Sequence, residues 1–425
     1  MSGVRGLVPE LPRGAWTLLA GDAICAIGSG MTLPFLLVYL HEVRGLGLGA
    51  AGLAVSAVAL AGFAGNPVGG SLADRVGGRA TMLAGLVFCA AGTTSLAFAT
   101  YAWQAFAACA TLGLGAAIVW PARSALLAML VSCERRSSAY GLQHAATNVG
   151  LGAGALFAAL IVDTSSAGTF QALYLLDAAS FVAVVPIVAR LAVPARENHA
   201  AVLTPARAAY RSILCDRAFR RLWGLTALLV GVGFAQYSAA FPAFATGEAG
   251  LDAHQLALAF AANTVAVVVA QLPVLSVLRG RRRTSALAFA FAATGIAWAI
   301  VLAAGAQSPA AAAAVFALAM VVLAIGETAL SPSAPALAND LAPDALRGRY
   351  NGAYTLAWTT GFAAGPALAG AVLAAGQPAA LMLGLIAACA VGAAGSLRLA
   401  RHLPAGIDVV DVDETDVRLV EPATA

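Results

Sequence analysis

Residues 70–79 read Gly-Ser-Leu-Ala-Asp-Arg-Val-Gly-Gly-Arg and separate two long apolar segments, at about 48 to 72 and 80 to 100. Each segment is long enough to cross a bilayer, because a spanning helix needs roughly 20 apolar residues. A glycine-rich turn with charges of both signs predicts a tight connection at one membrane surface. The stretch therefore predicts two spanning helices joined at that surface.

The rest of the chain repeats this pattern of apolar segments and short connections. Of the 425 residues, 61% are hydrophobic and only 10% are charged, and the mean hydropathy is +0.85. This balance excludes a water-soluble enzyme. Charge clusters and Gly/Pro breaks divide the chain into twelve apolar segments, at about 15 to 40, 48 to 72, 80 to 100, 103 to 131, 140 to 162, 170 to 190, 221 to 245, 254 to 278, 286 to 306, 310 to 338, 350 to 375 and 379 to 400. We therefore predict an all-α integral membrane protein with twelve transmembrane helices.

The positions of the basic residues predict the orientation of these helices. All 24 are arginines, and 22 of them lie at the N-terminus, in every second connection or after the last span. Only Arg44 and Arg123 lie elsewhere. Because cytoplasmic loops retain arginine, both termini are predicted to be cytoplasmic, which requires an even number of spans. The predicted location is the cell (cytoplasmic) membrane, with the lipid bilayer as surroundings.

The longest connection divides the chain into two groups of six spans. The predicted organisation is a cytoplasmic N-terminus at 1–14, an N-terminal six-helix bundle at 15–190, a cytoplasmic linker at 191–220, a C-terminal six-helix bundle at 221–402 and an acidic cytoplasmic tail at 403–425. The linker is either an interfacial helix whose arginines face the anionic leaflet or a solvated connection. The tail, with six acidic residues between Asp408 and Glu421, is predicted to be disordered.

An internal repeat links the two halves. A shift of 211 residues superimposes spans four and five on spans ten and eleven without a gap. The matched pairs are Gly115 with Gly326, Pro121 with Pro332, Arg136 with Arg347, Gly141 with Gly352, Gly150 with Gly361 and Gly154 with Gly365. Two duplicated halves predict pseudo-symmetric bundles with a substrate site between them near the midplane. This favours a transporter over a membrane enzyme or a scaffold.

The loop at 70–79 closely resembles the signature loop of the major facilitator superfamily, which is a glycine, then x-Leu-Ala-Asp-Arg-x-Gly and a basic residue. With twelve spans and duplicated halves, the resemblance covers nearly the whole chain and implies the major facilitator fold. In that family the loop latches the outward-open state. The resemblance implies that Asp74 lies near the positive N-terminal end of span eleven and that Arg75 and Arg79 join a charge network with Glu134. The gating residues implied are Gly70, Asp74, Arg75, Gly77, Arg79 and Glu134. The equivalent loop at 278–283 lacks the aspartate, so the latch is expected in the first half alone.

Spans four and ten resemble those of the drug/proton antiporter branch of this superfamily, which carries out multidrug efflux. The matching stretches are Trp120-Pro121-Ala122-Arg123-Ser124-Ala125 and the series that runs from Gly326-Glu327 to Tyr350-Asn351-Gly352. Two positions depart from the branch. Its span-four arginine would fall at Cys109, and the Gly-Pro pair of its span five occurs instead at Gly365-Pro366 in span eleven. Arg123 is a hypothetical substitute for the missing arginine.

Ionisable residues inside spans are the candidate coupling residues, because each costs about 2.5 to 3.5 kcal/mol at a helix centre. They are Asp22, Arg123, Asp177 and Glu327, with His144 as a further candidate. Asp22 and Arg123 lie at similar depth and are predicted to form an ion pair, which either contributes to function or only stabilises the N-terminal half. Asp177 is either a proton exit or a helix contact.

Glu327 is the main candidate for proton coupling. Its repeat equivalent is Ala116, and no arginine lies in its own span. A buried carboxylate without a partner favours its neutral form and can bind and release a proton as its hydration changes. A proton and a cationic drug would then compete for Glu327. A structural glutamate and an anchor for another substrate are the alternatives.

Two further groups of residues complete the predicted site. Possible cavity-lining residues, which hold flat cations by stacking and cation–π contact, are Gln236, Tyr237, Phe241, Asn263, Tyr354 and Trp358. Residues expected to allow close helix approach at the rocking interface are Gly150, Gly154, Gly361, Gly365 and Pro366.

The predicted function is secondary active transport, as proton-coupled efflux of hydrophobic or cationic drug-like compounds by alternating access. One alternative is a major facilitator transporter for a dedicated metabolite, by uptake or export, in which Arg123 binds a substrate carboxylate. Another is a non-transporting membrane sensor or a polytopic membrane enzyme, although no nucleophile constellation or metal motif supports catalysis. We expect no cofactor beyond the proton gradient, no metal and no nucleic acid, and a functional monomer that acts on a small-molecule substrate and protons.

Overall fold

The computed structural model describes residues 9–162, 166–193, 206–305, 307–404 and 406–410. This part of the chain is almost entirely helical and contains no β-strand. Helices are expected for an apolar chain in a bilayer, because lipid offers no partner for backbone N–H and C=O groups and a helix satisfies them internally. The predicted all-α membrane fold is confirmed.

Among the described residues, six long helices form each half of the chain. In the first half they are α1 (Arg13–Thr32, continued by short helical turns to Val43), α2 (Leu48–Val76), α3 (Gly78–Phe98), α4 (Ala102–Leu130), α5 (Arg136–Ile161) and α6 (Ala167–Ala189). In the second half they are α7 (Arg217–Val232, continued by Phe234–Ser238 and Ala240–Gly247), α8 (Ala253–Leu278), α9 (Arg283–Ala304), α10 (Pro309–Leu341), α11 (Arg347–Ala374) and α12 (Pro378–Leu399).

Eleven of these twelve helices are both long and apolar enough to cross a membrane, within the described residues. The helix outside that group is α5, which is 26 residues long. Its apolarity is reduced by Gln143, His144 and Thr147, which face the space between the two halves rather than lipid. The twelve spans predicted from apolar segments therefore correspond to twelve helices, one of which has a polar face.

The two halves have the same internal arrangement. In the first bundle α1 packs against α5 and α6, and α4 packs against α2 and α3; in the second, α7 packs against α11 and α12, and α10 packs against α8 and α9. Each bundle has its own buried apolar cluster. The predicted pseudo-symmetry of two six-helix bundles is present.

The turn between α2 and α3 is a single residue. Gly77 has a φ of +90°, a backbone conformation that side-chain-bearing residues rarely adopt. The loop that marks the fold in the sequence is therefore mostly the last turns of α2 and the first turn of α3. We call the end of the molecule that carries this turn and the other arginine-rich connections, α4–α5, α8–α9 and α10–α11, the basic end.

The predicted interface glycines do allow close helix approach, but within each bundle rather than between bundles. A Cβ on Gly154 would lie 2.0 Å from the carbonyl oxygen of Ile27 on α1, and Gly150 faces the same helix. A Cβ on Gly361 would lie 2.7 Å from Val230 Cβ on α7, and Gly365 also faces α7. The prediction of a rocking interface was wrong for these four glycines, whereas for the neighbouring Pro366 it stays a prediction. The repeat preserves these glycines because the packing of α5 on α1 in the first bundle is equivalent to the packing of α11 on α7 in the second.

The close contact between the bundles is made by other glycines, where α2 meets α11. A Cβ on Gly70 would lie 2.5 Å from the Gly348 carbonyl oxygen, and one on Gly352 would lie 2.5 Å from the carbonyl oxygen of Asn66. Only hydrogen fits in these spaces, so the backbones of the two bundles touch. The glycine of the signature loop is thus an interface residue at the basic end.

We expect Gly352→Ala to prevent full closure of the basic end. The added methyl group overlaps α2, and overpacking of this kind costs about 1 to 3 kcal/mol, which shifts a two-state equilibrium about 5- to 150-fold. Spin labels at the exposed positions Ala80 on α3 and Ala345 before α11 report the distance between bundles, after the exposed Cys133 and Cys215 are replaced by alanine.

The matched control is Gly370→Ala on the same helix, where an added Cβ meets nothing within 4 Å. Equal label distances in wild type, Gly352→Ala and Gly370→Ala would show that the α2–α11 contact does not limit closure.

Two segments outside the bundles pack on the basic end. A linker helix, Ala206–Cys215, lies within the predicted linker, and the Tyr210 hydroxyl donates to the Pro67 carbonyl oxygen at 2.7 Å. Residues 406–410 of the acidic tail contact the α8–α9 connection, so this part of the predicted disordered tail is ordered. Residues 1–8, 194–205 and 411–425 lie outside the described residues.

Candidate functional site: a cavity between the bundles

A cavity of about 500 Å³ lies between the two bundles. Helices α2, α4 and α5 form one wall, and α7, α10 and α11 form the other. Its size suits a drug-sized or smaller organic molecule, and its lining is largely apolar with a few polar groups, as is usual for small-molecule sites. The position agrees with the site predicted between duplicated halves.

The N-terminal wall contains the predicted ion pair. Arg123 Nη1 lies 3.3 Å from Asp22 Oδ1, and Gln143 Nε2 donates to Asp22 Oδ2 at 2.6 Å. The guanidinium of Arg123 also lies over the ring of Trp120, 4.3 Å from its centroid. Both oxygens of Asp22 are therefore engaged, and Arg123 lines the cavity as a neutralised cation between a carboxylate and an aromatic face.

The C-terminal wall contains Glu327, which is 8% exposed. The Tyr237 hydroxyl donates to Glu327 Oε1, and Asn263 Nδ2 donates both to the Tyr237 hydroxyl oxygen, at 3.3 Å, and to the Met320 carbonyl oxygen. Glu327 forms no ion pair within the described residues. The predicted lack of a charged partner is therefore observed, but the carboxylate is not isolated, because a phenol on the interrupted span seven reaches it.

Aromatic rings cover much of the same wall. Phe234 lies 5.0 Å from Trp358, and Trp358 lies 6.3 Å from Phe362, between ring centroids. All three line the cavity, as does Tyr354. This surface offers flat apolar faces beside a carboxylate, which suits a cation that carries aromatic or aliphatic groups.

The predicted cavity-lining residues divide into three groups. Tyr354 and Trp358 line the main cavity, whereas Tyr237 lines a small void beside Glu327 and Asn263 supports Tyr237 from behind. The Gln236 amide instead donates to the Gly231 carbonyl oxygen. Phe241 is fully buried in the apolar core of the second bundle, so its predicted position at the cavity was wrong.

Sequence reasoning missed other residues at the cavity. Asn66, Gln143, Phe234 and Phe362 line it, and the Asn66 amide donates across the bundles to Thr359 Oγ1 at 3.0 Å. The polar residues had a detectable signal, since an amide in an otherwise apolar span needs a partner. The phenylalanines had none, because an aromatic residue in a span looks the same whether it faces lipid, core or cavity.

The other intramembrane ionisable residues differ in their access to the cavity. His144 lines the cavity, next to Asn148, which donates to the His144 carbonyl oxygen at 3.0 Å. Asp177 is 1% exposed, lies between α6 and α1, and accepts a hydrogen bond from Thr32 Oγ1 at 2.7 Å. It is not among the residues that line the cavity. The geometry of Asp177 is that of a helix contact.

We expect Asp177→Asn to affect stability and to leave the activity of the folded protein unchanged. The Thr32 hydroxyl can donate to an amide oxygen as it does to a carboxylate, and the loss of one charge-assisted hydrogen bond changes stability by about 1 to 3 kcal/mol. Transport assays on protein normalised for folded yield measure the effect. Loss of coupling at normal yield would instead assign Asp177 to a proton path.

The latch at the basic end has the geometry implied for Asp74. Its carboxylate accepts hydrogen bonds from the backbone N–H groups of Gly348, at 2.7 Å, and Arg349, at 3.0 Å, in the first turn of α11. The Arg349 guanidinium lies 3.8 Å from the same carboxylate. A carboxylate at a helix N-terminus is stabilised by the unpaired N–H groups and the helix dipole. Asp74 thus joins the first bundle to the second.

The other charged residues among the implied gating residues do not take part in these contacts. Arg75, Arg79 and Glu134 are all exposed, and Arg79 donates to the Leu191 carbonyl oxygen within its own bundle. A hydrogen bond from its own backbone N–H and one from Ser132 hold the pKa of Glu134 below its usual range. The expectation that Glu134 pairs with Arg75 and Arg79 was wrong, because it lies in a solvent-facing turn before α5.

Asp340, on α10, takes the central acidic position of the network. It forms ion pairs with Arg136 on α5 and with Arg283 on α9. Arg283 Nε also donates to Ser137 Oγ of the first bundle at 3.0 Å. The second-half loop therefore contributes to the latch through an arginine, and the expectation of a latch in the first half alone was wrong.

Two bundles of six helices, related by an internal repeat and enclosing a central cavity, define the class of this protein as a membrane transporter. Residues 18–253 and 225–410 match the family model of the Major Facilitator Superfamily. The chain belongs to the Major Facilitator Superfamily.

The chain is similar to curated members of that family. It is 27% identical over 395 residues to the uncharacterized MFS-type transporter YttB of Bacillus subtilis (strain 168), covering 91% of this chain and 95% of the relative. It is 28% identical over 209 residues to the multidrug resistance protein MdtH of Aeromonas salmonicida (strain A449), covering 49% of this chain and 51% of the relative.

Solved structures share the fold. The fold matches that of the transporter FucP in the outward conformation with a TM-score of 0.75 at 16% identity, over 91% of this chain and 98% of that chain. It matches a bacterial homologue of the iron transporter ferroportin in its outward-facing state with a TM-score of 0.73 at 17% identity, over 92% of this chain and 100% of that chain.

Proposed function

We propose that this transporter is a proton-coupled antiporter that exports hydrophobic or cationic drug-like compounds across the cell membrane. It acts as a monomer by alternating access, with both termini in the cytoplasm and the proton gradient as its energy source. The observation that carries the proposal is Glu327, a carboxylate on the cavity wall whose partner is a neutral phenol.

The chemistry of the cavity supports a cationic or neutral substrate. Arg123 is neutralised by Asp22, which leaves Glu327 as the carboxylate that faces the space without a cationic partner within the described residues. Phe234, Trp358 and Phe362 lie on the same side. A lipophilic cation can place its charge near Glu327 and its apolar part on these rings. Partial similarity to MdtH, named a multidrug resistance protein, points the same way.

Antiport follows if a proton and the substrate bind Glu327 in turn. When the carboxylate is protonated, it no longer attracts a cation, so proton binding releases the substrate. When the proton leaves, the negative charge favours loading of the next cation. The contacts of Asp74, Arg136 and Arg283 close the basic end. If the basic end is cytoplasmic, as the arginine distribution predicts, the structure is outward-facing.

Inverted membrane vesicles test this proposal. A fluorescent lipophilic cation should accumulate in vesicles that contain the transporter when a proton gradient is applied, and a protonophore should abolish the accumulation. Drug susceptibility of cells that express the chain gives an independent measurement. Accumulation that ignores the gradient would exclude proton coupling.

A dedicated metabolite is the second candidate, and the position of Arg123 on the cavity wall favours it. A guanidinium binds a substrate carboxylate well if it is free to do so. Here Arg123 is already paired, so an anionic substrate must displace Asp22. Competition of the vesicle signal by small organic anions, and not by lipophilic cations, would support this candidate.

A further inference from the structure

The beginning of the acidic tail is built into the second bundle. Residues 407–410, which we call the tail strap, run antiparallel to the α8–α9 connection. Gly280 N donates to the Val410 carbonyl oxygen at 2.7 Å, and Val410 N donates to the Arg281 carbonyl oxygen at 2.8 Å. Val410 is fully buried against Leu278, Ala286 and Ala329. The strap therefore has both paired backbone and an apolar anchor.

Asp408 of the strap caps helix α9. Its carboxylate accepts hydrogen bonds from Thr284 N, at 2.9 Å, and from Thr284 Oγ1, at 2.8 Å, in the first turn of the helix. The residue before α9, Arg282, offers no side-chain cap of its own. A carboxylate at this position satisfies an N-terminal N–H group and favours the helix dipole. The strap thus fixes the start of α9, where Arg283 is located.

Arg283 connects the strap to the latch that joins the two bundles at the basic end. Its backbone N–H donates to the Asp408 carbonyl oxygen at 3.0 Å, and its Nη1 donates to the Ile407 carbonyl oxygen at 3.0 Å. The same side chain pairs with Asp340 and reaches Ser137 Oγ and the Cys133 carbonyl oxygen of the first bundle. One guanidinium therefore bonds both to the tail and across the boundary between the bundles.

The two halves of the chain contribute to the latch in different ways. In the first half, Asp74 in the last turn of α2 caps α11 of the opposite bundle. The α8–α9 connection has no aspartate at 278–283 and instead presents Arg283, a long side chain that loses much rotational freedom when it is held in place. Bonds from the strap supply that ordering.

We propose that the tail strap is a conformational element that holds Arg283 in its bridging position and thereby stabilises the state in which the basic end is closed. The strap and α9 belong to the same bundle, so their mutual contacts do not need to break when the bundles rock. The bonds of Arg283 to Ser137 and Cys133 must break. An ordered Arg283 makes those bonds at lower entropic cost, so the strap favours the closed basic end. The inference rests on the alternating-access fold and not on the identity of the substrate.

Two truncations of the full chain provide a matched pair. A stop after Gly406 removes the strap, whereas a stop after Val410 keeps it and removes only residues 411–425. With spin labels at Ala80 and Ala345, we expect the stop after Gly406 to raise the ratio of open to closed basic end at least about fivefold, the lower range of such couplings. We expect the stop after Val410 to behave as the full chain does.

Asp408→Asn and Arg283→Gln complete the test. Asp408→Asn retains the backbone of the strap and should give a smaller shift in the same direction, which keeps the proposal testable if the shorter truncation folds poorly. In an Arg283→Gln background, removal of the strap should cause no further shift. Three outcomes would each overturn the proposal. One is an unchanged label distance in the chain that stops after Gly406, and another is an equal shift in the chain that stops after Val410. The third is an undiminished effect of truncation in the Arg283→Gln background.

Discussion

Glu327→Gln is expected to reduce proton-driven export strongly and to weaken binding of a cationic substrate, while the protein still folds. Glutamine keeps the size of the side chain and can accept the hydrogen bond from Tyr237, but it cannot bind or release a proton. The coupling free energy between two binding events is about 1 to 3 kcal/mol. Loss of the residue that couples them therefore reduces the response of export to the proton gradient about 5- to 150-fold. The measurement is accumulation of a fluorescent lipophilic cation in inverted vesicles, over a series of imposed pH gradients.

Glu248→Gln is the matched control for this substitution. Glu248 is exposed at the end of span seven, outside the cavity, so the same chemical change there should leave transport as in wild type. Tyr237→Phe removes the hydroxyl that holds the carboxylate and should reduce transport less than Glu327→Gln does. If Glu327→Gln exports with unchanged dependence on the gradient, Glu327 has no role in proton coupling.

Asp22→Asn and Arg123→Gln are each expected to destabilise the first bundle by about 3 to 5 kcal/mol, because either change leaves a buried charge without its partner. The two residues are 3% and 9% exposed, and their closest charged atoms are 3.3 Å apart. The double variant should be more stable than either single variant, since no uncompensated charge remains. Thermal unfolding of the purified protein in detergent measures the three changes.

Arg75→Gln provides the control, because Arg75 is an exposed arginine at the basic end and its loss should change stability by less than about 0.5 kcal/mol. If the two single variants and the double variant lose the same amount of stability, the two side chains are not energetically coupled. A double variant that is stable yet fails to transport would show that the pair serves the substrate site as well as the fold.

The pair of Asp22 and Arg123 also illustrates what sequence reasoning achieves in a membrane protein. Charged groups inside spans are few, and each needs a partner, so two of opposite sign at equal depth can be matched without a structure. The same reasoning was incomplete for Glu327. Its partner, Tyr237, carries no charge, lies 90 residues away, and reaches the carboxylate only because span seven is interrupted between Val232 and Ala240.

For the glycines too, the sequence predicted one part of their role and only the structure shows the other. The repeat correctly marked Gly150, Gly154, Gly361 and Gly365 as positions of close helix approach, since a glycine matched in both halves serves an equivalent contact. It did not reveal which helix each glycine faces. Contacts between bundles are made by Gly70, Gly348 and Gly352 instead, and only the packing of α2 on α11 distinguishes the two sets.

Sequence alone determined the all-helical membrane fold, the twelve helices and the division into two related bundles. Those features depend on apolar length and on duplication, which are properties of the chain read in order. It also identified Asp74 as a latch residue through the signature loop. Each of these features is local or periodic, so it remains visible without coordinates.

Only the tertiary structure decided which residues meet across the bundles. Asp340 rather than Glu134 forms ion pairs with the arginines of the latch. Phe241 lies in the apolar core rather than at the cavity, and the beginning of the acidic tail pairs with the α8–α9 connection. Such contacts join residues that are distant in sequence and depend on the rotation of each helix about its axis. A nearly uniform apolar sequence does not encode that rotation visibly, because helix packing in lipid is set by side-chain fit and polar pairing and not by a hydrophobic face.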